Sequence, residues 1–197
     1  WDETRTCPQP LVRDAMEVSM PTFTLAFKCE PLGRGEEAIR QEMIADLAAE
    51  ALFGESSDLY LQMYDGGLID GSFGGGFETV DGCALFTCGG DSMDPLAVKN
   101  AILEGCRTLL ARGIPEADFA RMKRSALGRR IRGLDSFDST CFRVCAYHFG
   151  DFDYFRFPQV YDTIAAEDVL AFLRRVVREE RGCLSIIDPV NEEKSPC

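Results

Sequence analysis

Gly54-Glu55-Ser56-Ser57-Asp58-Leu59-Tyr60-Leu61-Gln62-Met63-Tyr64-Asp65-Gly66-Gly67-Leu68-Ile69 predicts a short capped helix closed by two glycines. Ser56 or Ser57 can accept a hydrogen bond from the free N–H groups of the first turn. Leu59, Tyr60 and Met63 make an apolar stripe, and Gly66-Gly67 permits positive φ where the helix ends. The chain must then extend. Gly71, Ser72, Phe73, Gly74, Gly75, Gly76 and Phe77 carry too little side chain for a packed strand interior, so they are expected to form a positioned loop and a sheet edge.

On the N-terminal side, Ile39, Met43, Leu47 and Ala51 recur at spacings of four within 36–53. Ile44, Ala48 and Leu52 widen the stripe, and Glu36, Arg40, Asp46 and Glu50 are expected to stay in water, which predicts a long amphipathic helix. Before it, Thr22-Phe-Thr-Leu-Ala-Phe-Lys28 alternates, with Phe23, Leu25 and Phe27 on one face of a strand. Residues 1–13 show no periodicity and are assigned to a linker or arm, with order expected to begin near Met16. The chain is divided accordingly into an arm at 1–15, one domain at 16–190 and a tail at 191–197.

On the C-terminal side, 76–79 and 83–88 predict two strands joined by a tight turn at Asp81-Gly82, with Gly89-Gly90 ending the second. Asp94-Pro95 is a cap followed by a first-turn proline. Val98, Ile102, Cys106 and Leu109 share one face until Gly113. A further helix begins at Pro115 and runs to about Arg132, turning Phe119, Met122, Ala126 and Ile131 inward. Another is expected over 135–149, a loop over 150–158, a helix over 166–178 and a strand over 183–187. This order lacks regular strand–helix–strand alternation. It predicts an α+β domain, a largely antiparallel sheet with helices packed on one face.

At 197 residues the chain suits one domain or half of a larger assembly, and its first residue, Trp1, suggests a segment of a longer polypeptide. A net charge of −12 disfavours nucleic acid, whose binding relies on clustered Lys and Arg. No apolar run approaches the roughly 20 residues that cross a bilayer, so no membrane partner is expected. Nine cysteines without a repeated spacing fit reduced thiols and a cytoplasmic location better than a disulfide framework.

Few residues suggest chemistry. Cys141, Cys145 and His148, the one histidine, would share a helix face and could offer three soft ligands to zinc, or they are two core cysteines beside a half-buried histidine. Arg121, Lys123, Arg124, Arg129, Arg130 and Arg132 form a basic cluster, for ion pairs with the many carboxylates or for a peptide carboxylate. Gly71 to Gly76 lacks the Gly-Lys-Ser or Gly-Lys-Thr ending of a phosphate-binding loop. It is either a flexible bend or an edge that pairs with an extended peptide. Asp135, Asp138, Asp151 and Asp153 do not single out an acid–base pair.

Ser56-Ser57-x-Leu59-Tyr60-x-x-Met63-x-x-x-Gly67-Leu68-Ile69 resembles a segment of the pitrilysin, insulinase and mitochondrial-processing-peptidase family of zinc peptidases, the M16 type. Gly89-Gly90, the helix after Asp94-Pro95, Gly113-Ile114-Pro115-Glu116-Ala-Asp-Phe119-x-x-x-Lys123, Leu134-Asp135-Ser136 and Ile164-x-x-Glu167-Asp168-Val169 follow in the order of that family's C-terminal half. The resemblance runs from about Met16 to Pro189. It implies half of a hinged clamshell around a peptide chamber. In such a clamshell a His-x-x-Glu-His helix of the other half holds zinc and activates water.

One histidine cannot make that motif, so no catalytic residue and no metal or cofactor are assigned to this chain. Zinc is expected in the N-terminal half, which would be a segment of the same protein or a partner subunit. The Arg and Tyr that some members present after the hairpin strand are missing from the segment from Ala84 to Met93, and Asp70 stands where a family Tyr often follows the Gly-Leu pair. The resemblance thus implies a non-catalytic wall of the chamber of a zinc-dependent metalloendopeptidase. Gly71, Ser72, Phe73, Gly74, Gly75, Gly76 and Phe77 are its candidates for peptide contact. The alternative is a peptidase-like interaction module without proteolysis.

Overall fold

A computed structural model describes residues 4–80 and 83–190. Its strands are β1 (Leu11–Met16), β2 (Thr22–Lys28), β3 (Gly74–Val80), β4 (Cys83–Asp91) and β5 (Gly182–Pro189), joined in one sheet of order β1-β5-β2-β4-β3. β1 pairs with β5 in parallel, and every other pairing is antiparallel. The helices are α1 (Gly35–Phe53), α2 (Asp58–Asp65), α3 (Pro95–Arg112), α4 (Glu116–Arg132), α5 (Phe137–Phe149), α6 (Phe157–Thr163) and α7 (Ala166–Val176). The fold is therefore α+β, as the element order predicts. The Asp81-Gly82 turn and the tail at 191–197 lie outside the described residues.

The alternation in β2 sends Phe23, Leu25 and Phe27 to the same face as Ala84, Phe86 and Cys88 of β4 and Leu184 and Ile186 of β5, all buried. Register brings Leu25 between Leu184 and Cys88, and Phe27 beside Phe86. Against this face lie the apolar stripes of α1 (Met43, Leu47, Leu52) and α7 (Val169, Phe172, Leu173, Val176). Each fully buried Leu, Val or Phe contributes about 1.5–3 kcal/mol over exposure, and this one-sided burial fixes strand register.

The helix that decides the fold forms as its caps dictate. Ser57 accepts a hydrogen bond from Tyr60 N at 3.1 Å, its hydroxyl donates to Leu52 O at 3.0 Å, and Gly67 adopts φ 67°. Asp94 caps α3 through Ala97 N at 3.0 Å.

Several readings of the sequence need correction. Leu11–Met16, in and just beyond the aperiodic N-terminal segment, is a strand. It is exposed along its whole length, so pairing with β5 and the Arg13–Asp188 contact at 3.3 Å hold it, and no buried face leaves a pattern to read. β4 does not end at Gly89-Gly90 but continues to Asp91. A Cβ on Gly89 would lie 2.6 Å from Phe23 O, and one on Gly90 2.8 Å from Phe73 Cα, so these glycines serve close approach. The expected 150–158 loop contains the start of α6, where Pro158 sits in the first turn and Phe157, Val160 and Tyr161 are buried. Ile131, expected inward, is half exposed at 50%.

The edge strand depends on Gly75. A Cβ there would fall 2.4 Å from Phe53 Cδ2 and 2.7 Å from Thr87 O. Gly75→Ala should therefore destabilise the protein by about 1–3 kcal/mol, measured by urea unfolding, whereas Gly76→Ala, with open space at its Cβ, should cost less than about 1 kcal/mol. Equal effects would show that the backbone accommodates both.

Candidate functional site

Along the helical side of the β3 edge runs a groove of about 1220 Å³. Its floor is α1, whose Ile39, Glu42, Asp46, Glu50 and Phe53 fall at spacings of three and four and so share one face. Residues 73–77 line one side. Ala126, Arg129 and Arg130 of α4 and Phe142, Arg143 and Tyr147 of α5 line the other.

One polar cluster ties the floor to the far wall. Arg130, with 11% of its side chain exposed, donates to Glu42 at 2.8 Å, to Asp46 at 3.0 Å and to the Tyr147 hydroxyl at 3.3 Å. Tyr147 donates in turn to Glu42 at 2.6 Å, and the Arg130 guanidinium lies 5.9 Å from the centre of the Tyr161 ring. Burial raises the Asp46 carboxyl pKa, against the pull of Arg130. Burial likewise pushes Tyr147 up, with Glu42 adding to it. For Arg130 burial works against the charge, but the facing Tyr147, Tyr161 and Glu42 outweigh it and hold its pKa above the ordinary value. Every member of the cluster is engaged by another, so it presents no free base or nucleophile. It fixes the shape of the wall.

The basic run of α4 is largely spent on such contacts. Arg129 pairs with Glu50 at 2.9 Å and Arg121 with Asp118 at 3.5 Å, while Lys123 donates to Ile164 O at 2.9 Å and lies 5.6 Å from the centre of the Phe119 ring. The sequence reading that kept Arg40, Asp46 and Glu50 in water is corrected by the same contacts. All three are half-buried, with Arg40 bonded to Asp168 at 2.7 Å. Glu42 and Asp46, one turn apart on α1, were the available signal. Nothing local in the sequence names their shared partner, 88 and 84 residues away.

The seven residues of the glycine-rich run divide. Ser72 donates to Asp70 at 2.5 Å and accepts from Asp91 N at 2.9 Å, which pins the loop before β3 to the end of β4. The Ser72 hydroxyl and N–H also hold the Asp70 carboxyl below its ordinary pKa. Gly71 is exposed in the same loop. Phe73 is buried against Phe23, Phe53 and Tyr60, with ring centres 6.1–6.4 Å apart. Phe77 leans on Phe172 at 6.5 Å. Gly74, Gly75 and Gly76 form the bare part of the edge, and no heavy atom lies within 4 Å of a Cβ built on Gly74 or Gly76.

Cys141, Cys145 and His148 lie exposed on α5. Among the described residues no group of three or more His, Cys, Asp or Glu could hold a metal ion, so the described donors do not fit a zinc site, and the zinc that the resemblance implies is expected in the other half. No described helix is long and apolar enough to cross a membrane.

Comparison with known proteins agrees with this fold. Residues 2–126 match the family model of the peptidase M16 inactive domain. The chain is 30% identical over 170 residues to the uncharacterized zinc protease YmfH of Bacillus subtilis (strain 168), covering 84% of this chain and 38% of that protein. Among solved structures, an M16-like peptidase from Alicyclobacillus acidocaldarius superposes with a TM-score of 0.86 at 22% identity, over 94% of this chain and 45% of that one. The inactive peptidase domain of a zinc protease from Bordetella parapertussis superposes with a TM-score of 0.75 at 14% identity, over 93% of this chain and 98% of that one. The chain thus spans less than half the length of the first two. It belongs to the M16 peptidase family, as an inactive domain of that family.

Proposed function

We propose that this chain is the non-catalytic C-terminal wall of a peptide-binding chamber in a larger zinc metallopeptidase. The zinc and the water-activating carboxylate would reside in an N-terminal half, carried by the same protein or by a partner subunit. The observation that carries the reading is the free edge of β3, bare at Gly74 to Gly76, running along the groove beside α1. An extended peptide can add to such an edge as one more strand. Its backbone then supplies the hydrogen bonds, and the groove accommodates alternate side chains. In this reading Gly71 and Ser72 set the entry to the edge, and Phe73 and Phe77 anchor it from beneath. The sheet from β1 to β5 with its helices acts as the unit that meets the other half. Free thiols such as Cys29, Cys88 and Cys106 fit a cytoplasmic setting for the whole.

Two measurements test the reading. In the protein joined to its zinc-bearing half, Gly74→Lys and Gly76→Lys add bulk and charge at the edge where a Cβ has room. Affinity for a fluorescent extended peptide should fall about tenfold or more, equivalent to about 1.4 kcal/mol, with little change in Tm. Undiminished affinity, with hydrogen exchange at 71–77 unaffected by peptide, would remove the edge from the binding site. The isolated chain should take up no stoichiometric zinc in equilibrium dialysis and cleave no peptide. Tight equimolar zinc that is lost when Cys141, Cys145 and His148 are replaced by Ser, Ser and Ala would instead establish a metal site on α5.

A further inference from the structure

The segment leading into β1 runs beside the chain that leads into β5. Cys7 N donates to Glu180 O at 2.8 Å, and Leu184 N donates to Pro10 O at 3.0 Å. Beside this pairing the Cys7 and Cys183 side chains are neighbours, and the Cys7 thiol also lies 3.3 Å from Gln9 O. Both thiols are free and half-buried, so small reagents can reach them. Of the other described thiols, Cys83 is also half-buried and the rest differ. Cys29 and Cys106 are buried, and burial pushes their pKa values up to about 12 and about 11. Cys88 is buried too, and Cys141 and Cys145 stand exposed on α5.

We propose that Cys7 and Cys183 form a reversible intramolecular disulfide, closed by exchange with an oxidised low-molecular-weight disulfide, that fastens the start of β1 to the start of β5. The Cys7 thiolate attacks the reagent RSSR, forming a mixed disulfide and releasing one RS⁻. The Cys183 thiolate then attacks the Cys7 sulfur and releases the second RS⁻. The two protein thiols lose two protons and two electrons, and the reagent leaves as two RSH. Burial, and then the neighbouring Cys7, raise the Cys183 thiol pKa, so the closing step runs faster as pH rises.

The consequence falls on β1. That strand is exposed along all six residues and is held by its parallel ladder and the Arg13–Asp188 contact, so it is poorly secured by buried apolar surface. A covalent tie just before the ladder limits its peeling from the sheet. Because the tie spans nearly the whole chain, it also constrains the unfolded state strongly.

The test uses the full chain with Cys141→Ser and Cys145→Ser, so that the exposed pair on α5 cannot react. Incubation with oxidised glutathione, blocking of free thiols and peptide mapping should recover a linked Cys7–Cys183 peptide. Tm should rise by about 5 °C or more and hydrogen exchange in 11–16 should slow, both reversed by dithiothreitol. Adding Cys7→Ser or Cys183→Ser should abolish all three responses while leaving the reduced protein folded. Glutathione adducts without an internal link, a link to another cysteine, or a Cys7–Cys183 link that leaves Tm and exchange unchanged would each overturn the proposal.

Discussion

Phe53, at the end of α1, stacks on Phe86 of β4 with ring centres 5.0 Å apart and meets Phe73 edge-on at 6.1 Å, while Phe86 meets Phe172 of α7 at 5.4 Å. One ring thus joins the first helix, the middle of the sheet and the segment that enters the edge strand. Each such contact adds about 0.5–1.5 kcal/mol to what burial alone provides. The geometry works only because the edge strand crosses the ring with no side chain of its own. Gly75 is the position where a single carbon would collide with both Phe53 and the β4 backbone. The glycine run is therefore a packing requirement first, and the bare edge beside it follows from that requirement.

The far wall of the groove is set by charge. Glu42, Asp46 and Glu50 repeat every four residues along α1, an arrangement whose mutual repulsion destabilises a helix unless cations intervene. Arg130 takes the first two and Arg129 the third. Both arginines lie in the last turn of α4, where the helix dipole also favours positive charge. The basic cluster of an acidic protein is thereby explained largely from within, as the complement of one acidic stripe. Removing either side alone would leave half-buried charges unpaired, which costs far more than the pair contributes.

What the sequence made legible follows from how local each signal is. The caps at Ser57 and Asp94, the alternation in β2 and the stripe of α1 are written within a few residues, and each matches the structure. β1 has no such signature because neither of its faces is buried and its hydrogen bonds depend on a strand more than 160 residues away. α6 hides behind Pro158, which marks a break in one context and a first turn in another. Of the groove, the glycine edge was visible as composition. The Glu42–Asp46–Arg130–Tyr147 cluster was not, since it is assembled from three helices by tertiary packing and none of its members is unusual alone.

The charges that line the groove bear on what it can discriminate. Glu42, Asp46, Glu50 and Glu55 face Arg34, Arg129, Arg130 and Arg143, four acids against four bases, although the chain as a whole carries −12. Three of the acids are engaged by Arg129 or Arg130, and Arg34 is 3.8 Å from Asp151. A groove balanced in this way exerts little net pull on a charged side chain. If the edge takes a peptide, recognition would come mainly from its extended backbone and from apolar fit against rings such as Phe142. Such a surface tolerates many sequences. Under the proposed function it would leave the choice of the cleaved bond to a zinc-bearing half, where binding and chemistry can be tuned apart.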